Sequence, residues 1–124
     1  VLKKAIDREF SRYVRLRNAD SRGYATCFTC GATKHWKEVD AGHFMSRAAM
    51  STRWHELNVQ FQCKPCNGFR SGEQYKFAQE LDRVYGEGTA DELVRMSKEM
   101  RKYSIEELEE ILEHYRHEAR KLGA

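Results

Sequence analysis

An α+β fold, mainly helical, is what this sequence predicts, with a small β-hairpin held between two cysteine pairs and flanked by helices. Three observations predict it. All four cysteines fall in two Cys-x-x-Cys pairs, Cys27/Cys30 and Cys63/Cys66. Two short alternating segments lie between the pairs, and apolar residues recur at helical spacing before the first pair and after the second. A chain of 124 residues suffices for one domain with a modest core. Its parts read as a basic N-terminal helix over 1–22, a stapled core over 23–85 and a helical acidic tail over 86–124.

In the opening segment Leu2, Ile6, Phe10 and Tyr13 form one apolar stripe, and Lys4, Arg8, Arg12 and Arg15 form a cationic one at the same spacing. A solvated surface and a nucleic-acid contact both fit the cationic stripe. After the first cysteine pair, residues 36–44 alternate loosely and read as one hairpin arm. Residues 45–57 read as a long polar loop with Arg47, Arg53, Trp54 and His55, and 58–62 read as the second arm, running into Cys63. Beyond Cys66, Ser71-Gly-Glu-Gln74, Thr89-Ala-Asp-Glu92 and Ser104-Ile-Glu-Glu107 each match the capping-box pattern that opens a helix, and Gly86-Glu87-Gly88 separates the first from the second. The last helix carries Ile105, Leu108, Leu112, Tyr115, Ala119 and Leu122 in heptad steps. That seam packs either on the chain's own core or on a second copy.

The net charge of +3 is unevenly spread: residues 1–77 are +7 and residues 78–124 are −4. A basic front with an acidic tail suits a polyanionic partner for the front. No run approaches the roughly 20 apolar residues of a membrane span. The chain begins at Val1 with no charged-then-apolar leader, so an intracellular protein is expected.

Paired thiolates on two tight turns suit tetrahedral Zn²⁺, and a disulfide framework is the alternative. The 32 residues between the pairs exceed the spacing of a compact zinc ribbon, so the hairpin is inserted structure. A zinc ion closed by Cys27, Cys30, Cys63 and Cys66 is structural and has no open position for chemistry. Any chemistry belongs to the hairpin and to the helix after Cys66. There His43, Asn58 and Asn67 stand in order. A neutral imidazole can take a proton from water. The Asn67 carbonyl is a hard ligand suited to Mg²⁺ or Mn²⁺, and the Asn58 amide can bridge hairpin backbone groups. Arg47, Arg53, Lys64, Arg70 and Lys76 surround these residues in sequence as candidate phosphate contacts. Trp54 suits either base stacking or core packing. His35 and His55 read as loop residues, with spare zinc ligands or DNA contacts as the alternatives, and His114 and His117 as exposed ones, with a weak metal pair as the alternative.

Taken together, Cys27-x2-Cys30, Asp40-Ala41-Gly42-His43, Asn58, and Cys63-x2-Cys66-Asn67 resemble the HNH (His-Me finger) nucleases with zinc knuckles, in the order of phage endonuclease VII. The runs Cys-Phe-Thr-Cys-Gly from 27, Asp-Ala-Gly-His-Phe-Met-Ser-Arg from 40 and Cys-Lys-Pro-Cys-Asn-Gly-Phe-Arg-Ser-Gly from 63 are similar to the NinG (Rap) recombination proteins of lambdoid phages. The resemblance covers roughly residues 8–85. It implies a zinc-stapled ββα-metal core and a structure-specific endonuclease acting on branched intermediates such as Holliday junctions and D-loops. It makes His43 the general base, Asn58 the middle asparagine and Asn67 a ligand of the catalytic divalent ion. The chain departs from the HNH pattern at Gly42, where an Asp or His ligand is usual. Asp40 is the substitute ligand if the hairpin bulges or slips by one residue; otherwise it is a structural acid.

Two other functions fit parts of the pattern: a non-catalytic zinc module that binds branched DNA or recruits recombination proteins, and a protein adaptor working through the heptad seam. If the chain is a nuclease, a four-way junction needs two cuts, so a homodimer is expected, joined by the seam or by the apolar stripe of residues 1–17.

Overall fold

The computed structural model describes residues 1–124, all of the chain. Six helices and two two-stranded antiparallel sheets succeed one another as α1 (Leu2–Leu16), β1 (Tyr24–Thr26), β2 (Thr33–His35), β3 (Val39–His43), α2 (Met50–Arg53), β4 (Val59–Cys63), α3 (Lys64–Asn67), α4 (Gln74–Tyr85), α5 (Thr89–Ser97) and α6 (Ile105–Lys121). The fold is α+β and mainly helical. No helix is long and apolar enough to cross a membrane.

The apolar stripe of α1 and the heptad seam of α6 meet each other. Ile6, Phe10 and Val14 pack with Leu108, Leu112 and Tyr115, and Trp54 and Val59 complete that core. The seam is therefore spent inside the monomer between Leu108 and Ala119, while its ends, Ile105 and Leu122, stay exposed. Phe10 and Tyr115 meet edge-on with ring centroids 4.7 Å apart. A second core of Phe44, Phe77, Leu81, Ala90 and Leu93 joins α4 and α5 to the far end of β3. Glu56 ties the first core to the hairpin, accepting hydrogen bonds from the hydroxyls of Tyr13 (3.0 Å) and Tyr115 (2.8 Å).

Between these cores β3 and β4 pair without a bulge, from Val39 opposite Cys63 to His43 opposite Val59. Neither the bulge nor the one-residue slip considered for Asp40 occurs. Every residue of β4 is buried, so its polar side chains must find partners inside. Gln60 donates to the Leu57 carbonyl (3.0 Å) and accepts from Arg17 (3.3 Å). Gln62 donates to the Thr29 hydroxyl (3.1 Å) and the Gly72 carbonyl (2.9 Å).

Several local expectations are corrected. Residues 45–57 contain the one-turn helix α2, and β1–β2 is a hairpin too short for its alternation to register in sequence. Residues 36–38 form a 3₁₀ turn rather than strand, so β3 starts at Val39. Of the three capping boxes only Ser104/Glu107 forms, with both reciprocal bonds present. Ser71 and Glu73 are held in left-handed backbone with α4 starting after them, and Thr89 turns its hydroxyl back to the Gly86 carbonyl. Neither the Ser71 nor the Thr89 side chain caps a helix. Trp54 packs in the core and donates its indole N–H to Asp7 at 2.9 Å.

Because Ile6 is fully buried at the α1–α6 seam, Ile6→Ala should cost about 2–5 kcal/mol of stability. A urea unfolding midpoint within error of the parent's would contradict this packing.

Candidate functional site

The two cysteine pairs converge. The first sits on the turn from β1 to β2, closed by the Cys27 amide to the Ala32 carbonyl (2.8 Å) and by Gly31, whose φ of 77° suits a residue without a Cβ. The second spans the join of β4 and α3. The four Sγ atoms lie within 4.8 Å of one another, with Cys30 and Cys63 3.7 Å apart. A tetrahedral zinc with about 2.3 Å bonds to sulfur needs an edge of about 3.8 Å. All four cysteines are free thiols, so the disulfide alternative is not the arrangement found, and the set is positioned to bind a metal ion such as zinc.

Neighbouring groups favour a thiolate at Cys27. Burial works against the Cys27 thiolate. The Cys63 amide (3.3 Å), the Thr29 hydroxyl (3.5 Å) and nearby amides outweigh it and hold the pKa at about 6. The Thr29 oxygen already accepts from Gln62, so its proton is free for sulfur. Burial pushes Cys63 up, and its hydrogen bonds with the other thiols add to the rise. A metal cation reverses that preference. Arg70 donates to Cys66 Sγ at 3.6 Å and so sits beside the knuckle.

On the other side of the hairpin lies a cleft lined by Asp7, Ser11 and Arg15 of α1, Asp40, Ala41 and His43 of β3, Arg47 of the following loop, and Lys64 and Asn67 of α3. Asp40 accepts from the Asn67 amide at 3.0 Å and from the Lys64 ammonium at 2.8 Å. It reaches α3 directly from a regular strand. Gly42, one residue before the histidine, has no room for a side chain. A Cβ there would stand 1.9 Å from Gln62 Oε1 and 2.9 Å from Gln62 Cβ. Oε1 of Gln62 is itself buried without a hydrogen-bond partner. A carboxylate at position 42 is therefore excluded by Gln62, leaving Asp40 as the acid that faces Asn67.

His43 Nε2 donates to the Arg53 carbonyl at 2.9 Å, which in the neutral ring leaves Nδ1 as the basic nitrogen. Burial lowers the His43 pKa below 6.5, and the Arg47 charge adds to this against the opposing pull of the Arg53 carbonyl and Asp7. The imidazole is thus neutral at pH 7. Asn58 is fully buried, accepting from the Met45 amide (2.8 Å) and donating to the carbonyls of Met45 (3.0 Å) and Thr52 (3.0 Å). It closes the 44–58 loop that carries Arg53, and it does not face the cleft.

Asp7, which sequence reasoning passed over, steadies the residue whose carbonyl holds His43. It accepts from Arg53 Nε (3.1 Å) and Nη2 (2.6 Å) and from the Trp54 indole, and it lies 3.5 Å from Arg47. Burial opposes its charge, but these donors lower its pKa all the same. The only signal in the sequence was an acid set inside a cationic helix face. The candidate phosphate contacts divide accordingly. Arg47 and Lys64 are exposed at the cleft. Arg15 lines it while donating to the Trp36 carbonyl (3.0 Å) and lying over that indole ring. Arg53 is engaged by Asp7 and only 17% exposed, which withdraws it from that set. Arg8 and Arg12 are a helical step round, beside Glu9. Lys76 lines a different cleft, which the first knuckle, Cys27 to Gly31, also lines. His35 and His55 accept from nearby backbone amides and are not metal-facing, and His114 and His117 stay on the outer side of α6.

Protein purified without chelator should carry one zinc per chain by elemental analysis, and chelation should lower the melting temperature steeply. A metal-free protein of unchanged stability would refute the staple. Asp7→Ala should cost up to about 3 kcal/mol, because it strands a mostly buried guanidinium. Equal urea midpoints for variant and parent would contradict that.

The comparisons with known proteins place the chain. The family model described as "NinG: Bacteriophage Lambda NinG protein" matches residues 2–124. The Protein ninG of Escherichia phage lambda is 28% identical over 120 residues, covering 96% of this chain and 56% of that relative. The namesakes from Escherichia phage 933W and Enterobacteria phage VT2-Sa are also 28% identical over 120 residues, covering 96% of this chain and 57% of each. The chain thus spans little more than half the length of these relatives. No solved structure matches. With a family model running from residue 2 to the last, and the cysteine pairs and cleft residues all inside the matched span, the chain belongs to the NinG family.

Proposed function

We propose that the chain is a metal-dependent endonuclease of the HNH, ββα-metal type that cuts branched DNA such as Holliday junctions and D-loops. The observation that carries the reading is one cleft that joins a tethered neutral imidazole, His43, to the Asp40–Asn67 pair, with Arg15, Arg47 and Lys64 around them. Strand β3, strand β4 and helix α3 supply the two strands and the helix of that arrangement.

The only group of three or more His, Cys, Asp or Glu side chains close enough to hold an ion is the four cysteines. The cleft offers one carboxylate and one amide oxygen, hard ligands that suit Mg²⁺ or Mn²⁺ with several waters retained. Asp40 and, after a half-turn of its amide, Asn67 would hold the ion. When bound, it stabilises charge on the scissile phosphate and leaving oxygen. The rest is done by the chain. Arg47, Arg15 and Lys64 bind non-bridging phosphate oxygens, and the Lys64 ammonium moves from Asp40 to do so. His43 Nδ1 takes the proton of the attacking water, while the Nε2–H bond to the Arg53 carbonyl fixes the tautomer and the ring plane. Asn58 keeps that carbonyl's loop closed.

Contacts of this kind read phosphates rather than bases, so affinity falls with salt alike for unrelated sequences. A four-way junction needs two cuts, and two copies of the chain meet on it. Their contact lies outside the α1–α6 seam, which the monomer already consumes. Gly42 favours the second reading, a non-catalytic zinc module that binds branched DNA, because one acid of the usual pattern is missing there.

Labelled junction DNA incubated with Mg²⁺ and then with EDTA separates the two. Cleavage abolished by EDTA is expected, and binding without cleavage under any divalent ion would favour the module. His43→Ala should slow cutting about 10²–10⁴-fold while zinc content and junction binding hold. Asn67→Ala should shift activity to higher Mg²⁺ or Mn²⁺. Since the His43 pKa lies below 6.5, cleavage should be at its plateau at pH 7 and decline only as pH drops through that lowered value. A rate that still climbs tenfold per pH unit between pH 7 and 8 would exclude His43 as the base.

A further inference from the structure

We propose that Phe69 is a stacking wedge that engages an unpaired or exposed base where a DNA branch interrupts the duplex. The inference rests on DNA being the partner of the cleft, as in the reading above.

Phe69 is 85% exposed, although it sits on a hydrogen-bonded turn. Four backbone bonds hold that turn: Gly68 to Lys64 (2.8 Å), Arg70 to Pro65 (3.0 Å), Ser71 to Gly68 (2.8 Å) and Gly72 to Cys66 (2.7 Å), amide to carbonyl in each case. Left-handed backbone at Ser71, Gly72 and Glu73 follows at once. The turn springs from the cysteine knuckle itself, so the backbone that carries the ring is held in place and only the side-chain torsions remain to be ordered on binding. An apolar ring displayed in this way contributes nothing to either core.

Its surroundings select the occupant. The stretch 64–76 carries three exposed cations, Lys64, Arg70 and Lys76; Lys64 pairs with Asp40 and Lys76 with Glu73, and Arg70, next to the ring, has no carboxylate partner, a balance that suits a polyanion rather than the apolar face of a protein. A second exposed ring, Tyr75, lies in the first turn of α4. Phe69 is two residues beyond Asn67, so the two Cα atoms are at most about 7.6 Å apart, about two base steps of 3.4 Å along a strand. A phenyl ring forms no hydrogen bonds and recognises only a π-face, and base faces are available only where stacking is broken. Phe69 therefore supplies a preference for structure without a preference for sequence.

The test measures binding in EDTA, so that it does not depend on cleavage. Four-way junctions and matched linear duplexes carry 2-aminopurine at or away from the branch, and the parent is compared with Phe69→Ala and Phe69→Trp. Zinc content and melting temperature should be the same for all three, since the side chain is exposed. The parent should quench the branch fluorophore. Phe69→Ala should lose that quench and about tenfold or more in junction affinity, with duplex affinity within twofold, and Phe69→Trp should restore both. The wedge is overturned if Phe69→Ala matches the parent on junctions, if it weakens junction and duplex equally, or if the parent binds no DNA, the last of which would turn this surface over to a protein partner. A parent that shows the branch quench yet fails to cut in Mg²⁺ would sink the nuclease reading and uphold the wedge.

Discussion

Cys63 closes β4, caps α3 and contributes a sulfur to the four-thiol cluster, all at one residue. The angle between the hairpin and the helix that carries Asn67 is therefore fixed where the chain is least free to move. A strand passing straight into a one-turn helix would fray in isolation, because so short a helix does not nucleate by itself. Here Pro65 in the first turn and a metal-ready knuckle on both sides replace the missing cooperativity. Asp40 meets Asn67 at 3.0 Å as a consequence of that junction, since the regular β3–β4 register brings Asp40 opposite Gln62, one residue from Cys63.

The strand that makes this possible is buried along its whole length although two of its five residues are glutamines. Buried amides are costly unless they are satisfied. Gln60 is satisfied through Arg17 and Leu57, and Gln62 through Thr29 and Gly72, leaving one orphaned oxygen. That oxygen stands where a side chain at position 42 would project. Gly42 and Gln62 are thus a matched pair. The glutamine links the Cys27 side of the knuckle to the turn at Gly72, and the space it takes leaves no site for an acid next to His43.

Much of this was legible in sequence because it rests on local spacing. Four cysteines in two pairs announce a closed site wherever the chain goes between them. The stripe Leu2, Ile6, Phe10, Tyr13 and the seam Ile105, Leu108, Leu112, Tyr115, Ala119, Leu122 announce two helices that must bury one face each, although Val14 rather than Tyr13 completes the buried face of α1. What spacing does not carry is which face meets which. The seam was as compatible with a second copy of the chain as with α1. Asp7 stayed hidden for a related reason: its partners Arg53 and Trp54 lie 46 and 47 residues away, and no periodicity links them. The failed capping boxes at Ser71 and Thr89 have the opposite cause. Their local pattern was correct, but the backbone after the knuckle is left-handed and Gly88 starts α5 from a left-handed position, so tertiary geometry overrode it.

The cleft is built from two separately stabilised halves. Asp40, Lys64 and Asn67 owe their positions to the cysteine cluster. His43 owes its orientation to the Arg53 carbonyl, which Asp7 steadies from α1, and α1 is held by its seam with α6. On a helix of 3.6 residues per turn, the row Asp7, Ser11, Arg15 lies about 100° round from Ile6, Phe10, Val14, so one helix carries a core face and a cleft face side by side. Opening the cysteine cluster would disconnect Asn67 from the hairpin while leaving the α1 side packed. Loosening α1 would free the imidazole while leaving the thiols in place. His43 and the Asp40–Asn67 pair are aligned only when both halves are folded, which makes the seam between α1 and α6 a condition of the cleft's geometry.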